Sequence, residues 1–223
     1  MARLPRLVLA GQAHLVVQRG HGAQAVFADE QDRAAYLAAL HEAARAEQVT
    51  LHAWALLDGE VLLLATPGQG PALGRMVQAI GRRYVSAYNR RHGHKGTLWD
   101  GRFRCAVVEP GDLRLAALRW VDGRSPEPGL TSASHRTGGA RAPALVDPPE
   151  VWALGNTPFE REAAYRTLLA QGLPPATSQA LQRAAFGGWA LGSDAFMRGL
   201  AVTAARPTQP RPRGRPRKRP AQP

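Results

Sequence analysis

The sequence predicts an α+β fold, on three observations. Two short apolar runs, Leu51–Leu57 and Glu60–Thr66, meet at Asp58-Gly59, a strong local signal for a tight hairpin turn. Apolar residues at helical spacing flank the hairpin on both sides. One more strand-like run stands before this block and one after it, followed by a helix. The order β-α-β-β-α-β-α is the split βαβ order of a ferredoxin-like antiparallel sheet. Helices are expected to pack on one face, leaving the outer face available to a ligand.

Each element has its own signal. Ala13–Arg19 reads as the first strand, stopped by Gly20-His21-Gly22. Asp29 is placed to cap a helix that runs to about Gln48, with Leu37, Leu40 and Ala44 on one stripe. After the hairpin, Pro67-Gly68-Gln69-Gly70-Pro71 breaks the chain. The second helix aligns Leu73, Met76, Val77, Ile80 and Tyr84 and carries Arg75, Arg82, Arg83, Arg90 and Arg91 elsewhere, ending at His92–Gly96. A fourth strand follows at about 103–109, and a third helix runs from Pro110 to about Asp122. These elements make one domain, 1–124. Pro, Gly, Ser and Arg then dominate, so 125–149 reads as a linker. A helical extension, 150–205, opens on the capping box Thr157-Pro158-Phe159-Glu160 and includes helices near 176–186 and 194–204, the last capped by Ser193. The Arg/Pro-rich tail, 206–223, has too little apolar surface to fold and is expected to be disordered.

The formal charge of +12 points to a polyanionic partner. Seven basic residues and no acidic one lie between Arg206 and Arg219, so the rest of the chain still carries about +5. The single cysteine, Cys105, excludes an intramolecular disulfide and a cysteine-rich zinc site, and reads as a core residue. His14 and His52 fall on strands, where a structural role outweighs a metal-binding one. No cleavable leader and no apolar stretch of membrane-spanning length are present, so a soluble cytoplasmic protein is expected.

Several stretches in fixed order resemble one family. They are Met1–Arg6 through Gln18-Arg19-Gly20; Gly81-Arg82-Arg83-Tyr84-Val85; Tyr88-Asn89-Arg90-Arg91; Gly96–Arg104; Trp189–Phe196; and Arg213–Arg217. Together they resemble the REP-associated tyrosine transposases, relatives of the single-strand, one-tyrosine transposases. The resemblance implies a chemistry in which two histidines on one strand hold Mg²⁺ or Mn²⁺ against a scissile phosphate. A tyrosine on a later helix attacks that phosphate, and a polar group one turn beyond assists the metal.

At the matching positions the pattern is altered. The histidine pair reads Glu60 and Leu62, the tyrosine reads Trp120, the assisting group reads Arg124, and the following segment is Ser125-Pro126-Glu127-Pro128. A leucine cannot ligate a cation and an indole is not a nucleophile. The expected function is therefore DNA binding by a degenerate member, a pseudoenzyme with no metal and no cofactor. The expected partner is single-stranded or hairpin DNA, with homodimerisation, no membrane, and placement on a bacterial nucleoid when bound. The alternative is an active metal-dependent transposase or nickase with a displaced tyrosine, for which Tyr84 and Tyr88, near His92 and His94, are the candidates.

The expected DNA-binding residues are Arg19, Arg82, Arg83, Tyr88, Arg90, Arg91, Lys95, Arg102, Arg104, Arg213, Arg215, Arg217 and Lys218. Guanidinium and ammonium groups neutralise phosphates, and interleaved aromatic rings (Tyr88, Trp99, Phe103) stack unpaired bases. The Arg213–Lys218 run is like a minor-groove hook, though a sequence-independent grip explains it more simply.

Overall fold

In the computed structural model, which describes residues 5–210, the predicted order is realised. Strand β1 (Ala13–Arg19) leads to helix α1 (Glu30–Ala46), the hairpin strands β2 (Val49–Leu57) and β3 (Glu60–Pro67), helix α2 (Ala72–His92) and strand β4 (Arg104–Val108). Helices α3 (Asp112–Asp122), α4 (Pro149–Trp152), α5 (Pro158–Gln171), α6 (Pro175–Gly187) and α7 (Asp194–Thr203) follow. The four strands form one antiparallel sheet in the order β2-β3-β1-β4. Among the described residues no helix is long and apolar enough to cross a membrane.

Local chemistry sets the boundaries. Asp29 caps α1 by accepting from the Asp32 amide at 3.0 Å. Both halves of the Thr157–Glu160 capping box form at α5, and Ser193 caps α7. Helix α2 stops at Gly93, whose φ of 61° only a residue without Cβ adopts at no steric cost. The turn at Asp58-Gly59 pairs Leu57 with Glu60 and so fixes the hairpin register.

One expectation is overturned. Helices cover both faces of the sheet, so no outer face is left open to a ligand. Val16, Trp54, Leu56, Val61, Leu63 and Cys105 pack with α1 and α2. Leu15, Val17, Ala55, Leu62, Leu64 and Val108 pack on the opposite side with Leu118 and Trp120 of α3, Tyr165 of α5 and Leu181 of α6. The physical cause is the unbroken run Val61-Leu62-Leu63-Leu64-Ala65, apolar on both faces where a half-solvated strand would alternate.

The stretch 125–149, expected as a linker, instead packs along the outer edge of β2. The Leu56 amide donates to Leu130 O at 2.8 Å, the Trp54 amide to Ser132 Oγ at 2.9 Å, and the Val146 amide to Leu51 O at 2.9 Å. Unpaired edge groups are thereby satisfied. Arg136, almost fully buried, pairs with Asp122 at 3.2 Å and with Asp147 at 2.6 Å, and Tyr165 donates to Asp122 at 2.7 Å. This polar network ties the connection and α5 to the end of α3.

Candidate nucleic-acid interface

The four positions singled out by the resemblance, Glu60, Leu62, Trp120 and Arg124, come together. Glu60 and Leu62 are two residues apart on β3 and share the face covered by α3, which carries Trp120. Leu62 is fully buried, and Trp120 and Glu60 are nearly so. Arg124, just past α3, donates to Glu60 Oε1 at 2.5 Å, while Arg19 donates to Oε2 at 3.1 Å. The Arg124 guanidinium also lies 5.2 Å from the Trp120 ring centre. Both carboxylate oxygens of Glu60 are thus engaged by cations, and the neighbouring position offers only a methyl-bearing side chain. This donor set does not fit Mg²⁺ or Mn²⁺, which needs several oxygen ligands.

Beside this cluster lies an arginine-lined cleft of about 380 Å³, walled by Arg19, Arg102, Arg104 and Arg183, with Gln182, Phe186 and a single acid, Asp100. Sheet register explains the convergence: β1 and β4 are neighbours, with Val17 opposite Arg104, so Arg19 and Arg102 emerge at the same end. Helix α6 packs across β4 and β1 and adds Arg183 and Phe186. The Arg19 guanidinium lies 4.0 Å over the Phe186 ring, and Arg104 donates to Phe186 O at 2.6 Å. Among the described residues the cleft wall sets four guanidiniums against Asp100, with Glu60 pairing Arg19 from the side, and this excess of positive charge in a concave site favours an anion such as phosphate.

The basic residues of α2 divide into two groups. Arg82 and Arg90 are exposed, as is Lys95 in the loop beyond. Arg83 pairs with Glu42, and Arg91 bonds to both Asp29 and Asp32. The Arg91 hydrogen bond, with one from the Asp32 amide, holds the Asp29 carboxyl well below its ordinary range. Arg91 therefore ties α2 to the start of α1. Tyr88 is half-buried, its ring 4.5 Å from that of His92 and 5.9 Å from that of Tyr84.

The other candidates have structural partners. Tyr84 is in the core, its hydroxyl donating to Val26 O at 2.5 Å, and burial pushes its phenol far above the ordinary value. His14 bonds Gln12 O and the Leu9 amide, and His52 bonds Val146 O and Thr66. Since β3 lies between β1 and β2, the two histidines do not face each other. Cys105 is buried against Leu7 O, and burial pushes its thiol up to about 12. Among the described residues no group of three His, Cys, Asp or Glu side chains is placed to hold a metal.

Sequence reasoning missed Arg183 as well as Arg6, and counted Arg206 with the tail. Arg183 is a lone cation on a helix surface, and only the packing of α6 on β4 reveals it. Arg213, Arg215, Arg217 and Lys218 lie outside the described residues.

No family model and no curated protein matches the chain. Among solved structures, it is similar to a REP-associated tyrosine transposase bound to a REP hairpin, at TM-score 0.51 and 11% identity, covering 67% of this chain and 93% of that one. A candidate transposase from Deinococcus radiodurans R1 aligns at TM-score 0.37 and 22% identity, over 49% of this chain and 88% of that one. The first of these likenesses shows a shared fold, an α+β architecture built on a four-stranded antiparallel sheet.

Proposed function

We propose that this protein binds hairpin or single-stranded DNA through the arginine-lined cleft and does not cut it. The observation that carries the reading is the convergence of Arg19, Arg102, Arg104 and Arg183 on one concave site, where among the described residues only Asp100 in the wall and Glu60 beside Arg19 oppose them. Guanidinium forks match phosphate oxygens, and the cleft wall supplies an aromatic ring for contact with an unstacked base. The similar transposase was solved on a REP hairpin, which favours the same class of partner here. Loss of strand cleavage rests on the Glu60–Arg19–Arg124 cluster: the metal position is filled by an internal ion pair and the nucleophile position by an indole.

Reversing one charge tests the cleft. Arg183 is exposed on α6, so Arg183→Glu should fold normally. It should weaken hairpin binding by about tenfold or more and lower the salt slope by about one or more. Unchanged affinity and slope would remove the cleft from the interface.

A displaced tyrosine is the competing reading. Tyr84 is a poor candidate because its hydroxyl is buried and bonded to Val26 O. Tyr88, only half-buried, is the residue on which that reading would have to rest.

A further inference from the structure

Arg6, Arg102, Arg104 and Arg206 line a second pocket of about 260 Å³ that shares Arg102, Arg104 and Phe186 with the main cleft. Among the described residues its wall holds no carboxylate. Two of its cations are fixed in place from distant parts of the chain. Arg6 donates through Nε to Phe103 O at 2.9 Å and lies 3.8 Å over the Phe103 ring. Arg206 donates to Gly188 O and lies 4.9 Å over the Trp189 ring. Burial, with Arg102 nearby, pulls the Arg6 guanidinium below its ordinary value, and burial does the same to Arg206.

Partly buried charges are ordinarily paired, because desolvation without a counter-charge is costly. Among the described residues the Arg206 Nε is buried without a hydrogen-bond partner, and Arg6 gives one of its five N–H groups to the backbone. A preformed fork of donors lacking an acidic partner suits a tetrahedral oxyanion. Sequence separation hides the site, since its arginines lie at 6, 102, 104 and 206.

We propose that this second pocket is a phosphate-binding site, filled by a phosphodiester of the same DNA strand that occupies the main cleft. The assignment of the phosphate to DNA rests on the DNA-binding reading above. The shared wall of Arg102 and Arg104 favours it, because one strand can then bridge both pockets.

Two probes separate the site from its source. Full-length protein would be titrated with inorganic pyrophosphate by calorimetry, and with hairpin DNA over a series of salt concentrations. Arg206→Gln, Arg6→Gln and Arg183→Gln would be compared with wild type after checking their melting curves. Pyrophosphate affinity should fall about tenfold in Arg206→Gln and Arg6→Gln and hold in Arg183→Gln. The DNA salt slope should fall by about one in all three variants. Two independent second-pocket variants guard against one of them misfolding.

A loss of pyrophosphate binding with an unchanged DNA slope would keep the site but overturn its assignment to DNA. Pyrophosphate binding by a protein that does not bind the hairpin would do the same, and would refute the DNA reading separately. If folded Arg206→Gln or Arg6→Gln protein matches wild type with both probes, or wild type binds neither, the site is overturned.

Discussion

Arg124 and Glu60, 64 residues apart in the chain, meet in an ion pair of 2.5 Å beside the β2–β3 hairpin. Arg19 holds the other carboxylate oxygen at 3.1 Å. The pair stands where the resemblance places a metal ligand and its assisting group, and the Glu60 carboxylate engages both Arg124 and Arg19, the second of which lines the arginine cleft. Glu60→Gln would keep the shape and release both guanidiniums. Hairpin DNA should then bind a few-fold more tightly with a steeper salt dependence, measured by titration at several salt concentrations. Stability should change by less than about 1 kcal/mol, because both arginines remain partly solvated. Weaker DNA binding would contradict this account of Glu60.

Much of the fold was legible because local rules and tertiary packing agree. The Asp58-Gly59 turn, the Asp29 cap and the Thr157–Glu160 box each act within a few residues, and each forms as expected. The two-sided burial of the sheet was also written in Val61–Ala65, but the fold-class expectation of one open face outweighed it. The packing of 125–149 was hidden because its Pro and Gly content resembles that of a free connection. Its anchors, Ser132 and Arg136, are polar residues whose burial depends on partners far away in sequence. The cleft was half legible: Arg19, Arg102 and Arg104 stood out near aromatic residues, whereas Arg183 is recruited by helix packing alone.

Arg91 should matter for acid stability more than for DNA. It bonds to Asp29 and Asp32, and the hydrogen bonds hold Asp29 below the ordinary carboxylate range. Burial pulls Asp32 the other way, but the Ala28 amide, His92 and Arg91 outweigh it and leave Asp32 lowered too. A depressed carboxylate stabilises the fold above its unfolded value, about 3.9, and that contribution disappears as pH falls through the folded value. The melting difference between wild type and Arg91→Ala should be widest at neutral pH and narrow progressively as pH falls from about 4 toward 2. A difference that stays constant from pH 7 down to pH 2 would contradict the pairing.

His14 gives a second pH dependence in a different window. It is fully buried, with Nδ1 at 2.7 Å from Gln12 O and Nε2 at 3.1 Å from the Leu9 amide, an arrangement that needs a neutral ring. Burial pushes its pKa down to about 4. The unfolded chain binds the proton first, so this stability is complete above pH 6.5 and is lost as pH falls toward 4, amounting to about 3 kcal/mol at most. Denaturant titrations of His14→Gln should show a shallower decline than wild type between pH 7 and 4. Parallel declines would place the acid sensitivity elsewhere.

Deleting residues 211–223 removes Arg211, Arg213, Arg215, Arg217, Lys218 and Arg219 while keeping Arg206. Hairpin affinity should fall and the salt slope should flatten, with melting temperature unchanged. An unchanged slope would exclude these cations from DNA contact.

Binding without cutting is the central claim, and one incubation tests it. Purified full-length protein is mixed with end-labelled hairpin DNA in Mg²⁺ or Mn²⁺, then divided between a native gel and a denaturing gel. The account predicts a native shift with intact DNA and no covalent adduct on the denaturing gel. A protein-linked DNA product that disappears in Tyr88→Phe would contradict it, and would place the chemistry on the displaced tyrosine.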